Sequence, residues 1–395
     1  MANDQSNNVP CRICGASVQD YLVDHLGTAH GIGATEYLDR YPNAILTSER
    51  LATRFTTQKV PPRVVPPSPT ELTVTFANIT FAVNADVPEE VCLPLPDHYR
   101  VPVKGALGED VQHAAVALKH KRSSYVWGMP GSGKDALFHA WSYMTRTPAI
   151  IRQVKPGTDI ESWFFSRGFN KDSTVWEEGD VLRALRDGYT TPSGRKVPYL
   201  LLVTDFDRAD RDQAEHLRLI TDSIQGRVDG PAGKVYRVLP GTIVAATANT
   251  AGGGDERGRM ISSNPLDASL LDRFERKLQF HWMSWEDEAP VVKAKFPALF
   301  GKFPPLEAKC REVTKALRDA VLNGDIHGEF SHRALCNILS HASDIIDENT
   351  KKLPVNLMGI AARVWLDGLP DEENRLAAKR ILDPHFASLD VGGGN

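Results

Sequence analysis

Between residues 123 and 249 the apolar positions fall into short runs separated by segments of helical period. "SSYVWG" (123–128), "YLLLVTD" (199–205) and "GTIVAATAN" (241–249) are near-continuous apolar runs of strand length, while "KDALFHAWSYM" (134–144) spaces its apolar residues as a helix does. Strands alternating with helices predict a parallel sheet held between helical layers, a three-layer α/β domain. Upstream, Leu72, Val74 and Phe76 alternate with polar positions, as do Ile79, Phe81 and Val83; Ala77 and Asn78 fall between, so a β-hairpin is expected. "GRVDGPAGKVYRVLPG" (226–241) predicts another hairpin, turning at "VDGPAGK". From about residue 286 the pattern becomes wholly helical, through "DEAPVVKAKF", "LEAKCREVTKALRDAV", "SHRALCNILSHASDIID" and "NLMGIAARVWL". A proline-rich stretch, "VPPRVVPPSP" (60–69), reads as a stiff, extended spacer, and the final "GGGN" is expected to fray. The implied organisation is a Cys/His segment at 1–45, linker and hairpin at 46–94, an α/β core at 95–285, and a helical domain with its tail at 286–395.

Composition narrows the class. The 395 residues leave room for two or three cored domains, and 24% charged with 42% hydrophobic residues is ordinary for a globular protein. A formal charge of −4 gives the whole chain no attraction for nucleic acid or anionic lipid. No apolar run approaches the roughly 20 residues that span a bilayer. "MANDQSNNVP" lacks the basic-then-apolar pattern of an export signal. Five scattered cysteines do not make a disulfide framework. A cytoplasmic protein without membrane contact is expected.

The first concentrated chemistry is "GMPGSGKD" (128–135) with Ala136 after it. In a G-x-x-x-x-G-K-[ST] turn, backbone N–H groups and the following helix's N-terminus cradle phosphates while the lysine neutralises them. Gly128, Met129, Pro130, Gly131, Ser132, Gly133, Lys134, Asp135 and Ala136 are therefore the candidate nucleotide cradle, between a strand and a helix as the motif requires. Asp135 stands where a magnesium-binding hydroxyl is expected. Nucleotidases of the AAA+ type commonly place Asp then Glu at the end of the neighbouring apolar strand; here "TDFDRA" puts Thr204 and Asp205 at those positions. Three readings stay open. Asp135 and Thr204 have exchanged their Mg²⁺-ligating roles, preserving one carboxylate and one hydroxyl around the ion. Alternatively Asp205 is the strand carboxylate and Asp135 an added charge, or the site binds nucleotide without hydrolysing it. Under the exchange, Asp205 would polarise the attacking water.

With these motifs, and with "ATANTAGGGDERGRMISSNPLDASLLDRF" (246–274), "WEEGDVLRALRDG" (176–188) and "SHRAL" (331–335), the stretch from about 95 to 340 resembles the AAA+ ATPases of the MoxR group, in particular the CobS-type cobaltochelatase subunit. The resemblance implies an AAA+ three-layer αβα P-loop core with a C-terminal helical lid, using ATP and Mg²⁺. It implies that Asn249 is the polar sensor beside Asp205, that Arg273 is the arginine finger acting on a neighbouring subunit's nucleotide, and that Arg333 is the lid-borne sensor. Arg257, Arg259 and Arg276 are rivals for the finger. It further implies a homo-oligomeric, hexameric ring and a protein partner, in that group often one with a von Willebrand A-type domain. The 226–241 hairpin would lie on the ring's substrate-facing surface, and "SWFFSRGF" (162–169) is a candidate for aromatic pore contacts, with packing the competing reading.

At the N-terminus, Cys11, Cys14, His25 and His30 follow C-x2-C-x10-H-x4-H, a donor set that suits tetrahedral Zn²⁺. Val18 and Leu22 sit where a small ββα finger keeps its core. "DHLGTAHGIGATEYLDRYP" also resembles the finger of Ros/MucR-type bacterial regulators. Residues 11–45, however, carry Arg12 and Arg40 against Asp20, Asp24, Glu36 and Asp39, which favours docking of a protein over gripping DNA phosphates. The expectation is a zinc-finger-bearing ATPase that remodels a protein partner. The alternative is a nucleotide-gated regulatory module that recruits DNA or protein through the finger with little hydrolysis.

Overall fold

The computed structural model describes residues 8–19, 21–48, 72–170, 173–254, 263–348 and 356–386. The proline spacer, Arg257, Arg259 and the terminal "GGGN" lie outside them. The chain divides into two compact units, residues 1–70 and 71–395.

In the larger unit five strands pair in parallel: β1 (Ser124–Gly128), β2 (Ala149–Gln153), β3 (Leu200–Thr204), β4 (Ile243–Ala248) and β5 (Arg276–Phe280), in the spatial order β5-β1-β4-β3-β2. Every residue of β3 and β4 is buried, which is why both read as unbroken apolar runs. β2 and β5 are the sheet's edges; no residue of β2 is fully buried, and in β5 only Phe280 is.

Helices α1 (Gly105–Lys119) and α2 (Lys134–Thr145) share one core with Val126, Leu200, Leu202, Ile243 and Ala245. The expected hairpin, Thr73–Phe76 with Ile79–Ala82, joins that core through Phe76 and Phe81. Its turn residues Ala77 and Asn78 both have positive φ (48° and 62°), the geometry of a tight two-residue hairpin turn. On the opposite face α3 (Asp180–Asp187), α4 (Leu217–Ile224) and α5 (Ala268–Leu271) cover Tyr125, Leu201, Val203, Val244 and Ala246. This is the expected three-layer αβα P-loop core. Two further hairpins project from it, Phe165–Asn170 with Ser173–Glu178 and Arg227–Asp229 with Val235–Arg237. Trp163 and Phe164, just before the first hairpin, and Phe165 within it are buried, whereas Phe169 is 87% exposed.

After β5 the chain is helical, as expected. α6 (Trp285–Lys295), α7 (Leu306–Asn323), α8 (His332–Glu348) and the helix Glu372–Phe386 close around Val313, Leu317, Phe330, Leu335, Leu339 and Leu382. One ionic cluster is buried among them. Glu288 on α6, wholly inaccessible, faces Arg318 of α7 (Nη2–Oε1 3.0 Å, Nη1–Oε2 2.9 Å) and His332 of α8 (Nδ1–Oε1 3.0 Å). Arg318 also donates to the carbonyls of Phe330 and Met283, each at 3.0 Å. A buried charge needs such partners.

The smaller unit is built on the antiparallel pair Asn8–Pro10 and Ser17–Gln19, a helical segment from Val23 to His30, and the helix Ala34–Arg40. Leu22, Leu26 and Tyr37 are fully buried at its centre, with Val18 packed against them.

Candidate functional site

β1 leads into the glycine loop and α2 leads out of it. Gly131 has φ +71°, and a Cβ there would come within 2.4 Å of Ser331 Cβ, so only glycine lets the helical lid rest on the loop. Lys134 opens α2 and is buried. Its ammonium donates to the carbonyls of Gly128 (2.7 Å) and Met129 (3.2 Å) and to Asn249 Oδ1 (3.3 Å). Burial lowers the pKa of this ammonium, opposed by the negative field of Asp135, Asp207, Glu329 and Asp205. Ser132 keeps a buried hydroxyl with no hydrogen-bond partner among the described residues. A loop whose lysine rests on neutral carbonyls and whose serine is unsatisfied fits a phosphate group with its cation.

Asn249 lies one residue past β4, and its Oδ1 accepts from Lys134. Asp205, one residue past β3, is held in a left-handed conformation (φ 54°, ψ 39°). It accepts from Gln153 Nε2 at 2.7 Å, with Arg208 Nη1 at 3.9 Å. Asp135 accepts a 2.6 Å hydrogen bond from the hydroxyl of Thr247, on β4. Thr204 ends β3, which pairs with β4 so that Val203 lies opposite Ala246; one step further, Thr204 lies beside Thr247.

Sequence reasoning missed two residues here. Thr247 lies two positions before Asn249, and a shared strand face was the signal that could have found it. Asp207 is completely buried and accepts at Oδ2 from the N–H groups of Asn249 (3.1 Å) and Thr250 (2.9 Å) and from the Thr250 hydroxyl (2.9 Å). It pins the turn that carries Asn249, and the acidic residue after Phe206 in "TDFDRA" was its mark.

Arg333, on α8, shares a cavity of about 370 Å³ with Gly131, Ser132, Gly133 and Ala136, a volume within the range of small-molecule sites. The neighbouring Glu329 has a raised pKa because it is buried, offset by Lys134 and Arg333. Arg273 is not in this group: just past α5, it pairs with Asp222 and donates to Thr221 Oγ1 (3.2 Å), both on α4. Arg276 opens β5, and its guanidinium bonds the carbonyl of Glu275 (2.8 Å).

The second site is in the small unit. Gly15, at φ +74°, closes the turn that brings Cys14 beside Cys11. In an α-helix, residues five apart diverge by about 140° at about 100° per residue. Residues Leu26–His30 instead form a π turn, closed by Gly31 N–H on the Leu26 carbonyl, and the His25 and His30 ring centroids lie 5.1 Å apart. Cys11 Sγ is 3.5 Å from His30 Nε2 and Cys14 Sγ 3.3 Å from His25 Nε2, with all four donor atoms within 4.8 Å of one another. Tetrahedral zinc with ordinary bond lengths separates S and N by about 3.6 Å. Burial works against ionising Cys11, but hydrogen bonds from the Cys14 and Ile13 backbone bring its thiol below the ordinary value. The donor set fits Zn²⁺.

No helix among the described residues is long and apolar enough to cross a membrane. No family model and no curated protein matches the sequence. Among solved structures, the chain is similar to a point mutant of RuvB from Thermotoga maritima (12% identity, TM-score 0.42, covering 68% of this chain and 71% of that one). It is similar also to the Thermotoga maritima RuvB Holliday junction branch migration motor (14%, TM-score 0.39, 67% and 71%). A putative ATPase from Cytophaga hutchinsonii is a further match (14%, TM-score 0.31, 68% and 87%).

Proposed function

We propose that the protein is an AAA+ ATPase of MoxR/CobS type that assembles as a homo-oligomeric, hexameric ring in the cytoplasm and couples ATP hydrolysis to remodelling of a protein partner. The observation that carries this reading is the convergence of Lys134, Asn249 and Asp135 at the carboxyl ends of β1 and β4, with Arg333 facing the same loop from the lid. In such sheets ligands bind at the carboxyl edge of the strands.

Lys134 and the backbone of residues 128–136 would hold the phosphates of ATP, and Asp135 with Thr204 would hold Mg²⁺ between loop and strand. Bound Mg²⁺ supplies neutralisation of charge on the phosphates. Asp205 accepts a proton from water, Asn249 orients that water, and Asp207 keeps Asn249 in place. Arg273 serves the neighbouring subunit's site once it leaves Asp222, and Arg333 relays nucleotide state to the lid. Cys11, Cys14, His25 and His30 would hold Zn²⁺, which would fold a finger that docks or recruits a protein, with DNA the less favoured target; a protein with a von Willebrand A-type domain is the first candidate for the remodelled partner.

The engagement of Asp205 by Gln153 supports a second reading, a nucleotide gate with little hydrolysis, because that hydrogen bond competes for the carboxylate. Phosphate release by the purified protein, with and without Mg²⁺, separates the two. Mg²⁺-dependent turnover is expected; nucleotide binding without turnover selects the gate. Combining Asp135→Thr with Thr204→Asp tests the exchange. Each single change should cripple hydrolysis and the pair should recover much of it, whereas additive loss sinks the exchange.

A further inference from the structure

We propose that Thr247 is a positioning and specificity-determining residue of the cation site: its hydroxyl locks Asp135 into binding the ion through one oxygen. This rests on the reading of Asp135 as a cation ligand. Asp135 lies in the first turn of α2, open to solvent, where a short carboxylate side chain has freedom to rotate. Thr247 is 2% exposed and gives its single proton to Asp135 Oδ1 at 2.6 Å. Residues alternate in facing along a strand. Leu200 and Leu202 of β3, and Ile243 and Ala245 of β4, pack on the α2 side, so Thr204 and Thr247 face α2 as well. Thr204 is therefore on the same sheet face as Thr247, whose hydroxyl meets the helix carboxylate of Asp135.

The hydrogen bond has a chemical consequence. The hydroxyl takes one lone pair of Oδ1 and fixes the plane of the carboxylate, so Oδ2 is the better oxygen for a cation and monodentate binding by Asp135 is favoured. A single carboxylate oxygen suits Mg²⁺ or Mn²⁺, which take six ligands at short distance. Ca²⁺ takes six to eight ligands and often both oxygens of a carboxylate. Groups that orient a metal's ligands typically change its affinity by roughly 10–100-fold when removed.

The test uses the full chain with ADP at saturation and Mn²⁺ as probe, followed by electron paramagnetic resonance, with Ca²⁺ as competitor. Thr247→Val, which keeps the shape and loses the donor, should weaken Mn²⁺ by roughly 10–100-fold. It should also raise the affinity of Ca²⁺ relative to Mn²⁺ and leave ADP binding without divalent ions unchanged. Thr247→Ser, which keeps the donor, should behave as wild type. Asp135→Asn should lose the Mn²⁺ signal, and Thr247→Val should add nothing in that background. If Thr247→Val binds Mn²⁺ as wild type does while Asp135→Asn does not, the inference falls and the reading of Asp135 stands. Equal loss in the Val and Ser variants also overturns it, since the hydroxyl would then be irrelevant. If Asp135→Asn retains Mn²⁺, the reading of Asp135 fails and takes the inference with it.

Discussion

His332 gives the lid a pH dependence whose sign and size follow from its surroundings. Burial pulls the imidazole's pKa down, but the contacts with the Cys336 thiol (3.4 Å) and the Glu288 carboxylate (3.0 Å) outweigh it and raise the pKa from 6.5 to about 9. Glu288 responds reciprocally: burial pushes its pKa up, while His332 and Arg318 bring it below the ordinary value. A pKa raised on folding stabilises the protonated folded state. The contribution is complete below pH 6.5 and is lost as pH rises through about 9. At 1.36 kcal/mol per unit the rise corresponds to about 3 kcal/mol, and solvent at the ring edge, 27% exposed, trims this to about 2–3 kcal/mol. Urea titrations at pH 6 and pH 9.5, followed by tryptophan fluorescence, measure it. The wild type should lose about 2–3 kcal/mol more than His332→Gln between the two conditions. Equal losses in both proteins would refute the assignment of a charged His332 to the folded lid.

Chelation of zinc should unfold the small unit, because Leu22, Leu26 and Tyr37 make too small a core alone. One zinc per chain and collapse of amide dispersion in Cys11→Ser check this. Asp207→Ala removes the acceptor for three donors of the Asn249–Thr250 turn and should cost about 2–4 kcal/mol, with turnover falling further than nucleotide affinity. Chemical denaturation beside steady-state kinetics separates those effects, and unchanged stability would remove Asp207 from the turn. Gly131→Ala places a methyl against Ser331 in a left-handed backbone conformation. That combination should cost about 2–4 kcal/mol and weaken nucleotide binding, and Ser331→Gly should recover part of the loss by calorimetry.

Much of the site was legible in the chain itself. The loop from Gly128 to Asp135 and the Cys11, Cys14, His25 and His30 set are local patterns, since a tight turn or a short finger draws its chemistry from residues close in sequence. β1, β3 and β4 announce themselves because a strand covered on both faces must be apolar throughout. β2 and β5 escaped notice for the opposite reason: as edges they have one paired neighbour and leave polar residues exposed, as in "RKLQF", where only Phe280 is buried. Tertiary structure alone decided which groups meet across the sheet. Asp135 finds Thr247 112 positions away, Asp207 holds a turn more than 40 residues downstream, and Glu288 gathers Arg318 and His332 from two other helices. Periodicity states which face of an element is covered, but strand order and helix packing determine the residues that cover it. The partner of a buried or ligand-holding polar group is therefore set by the fold.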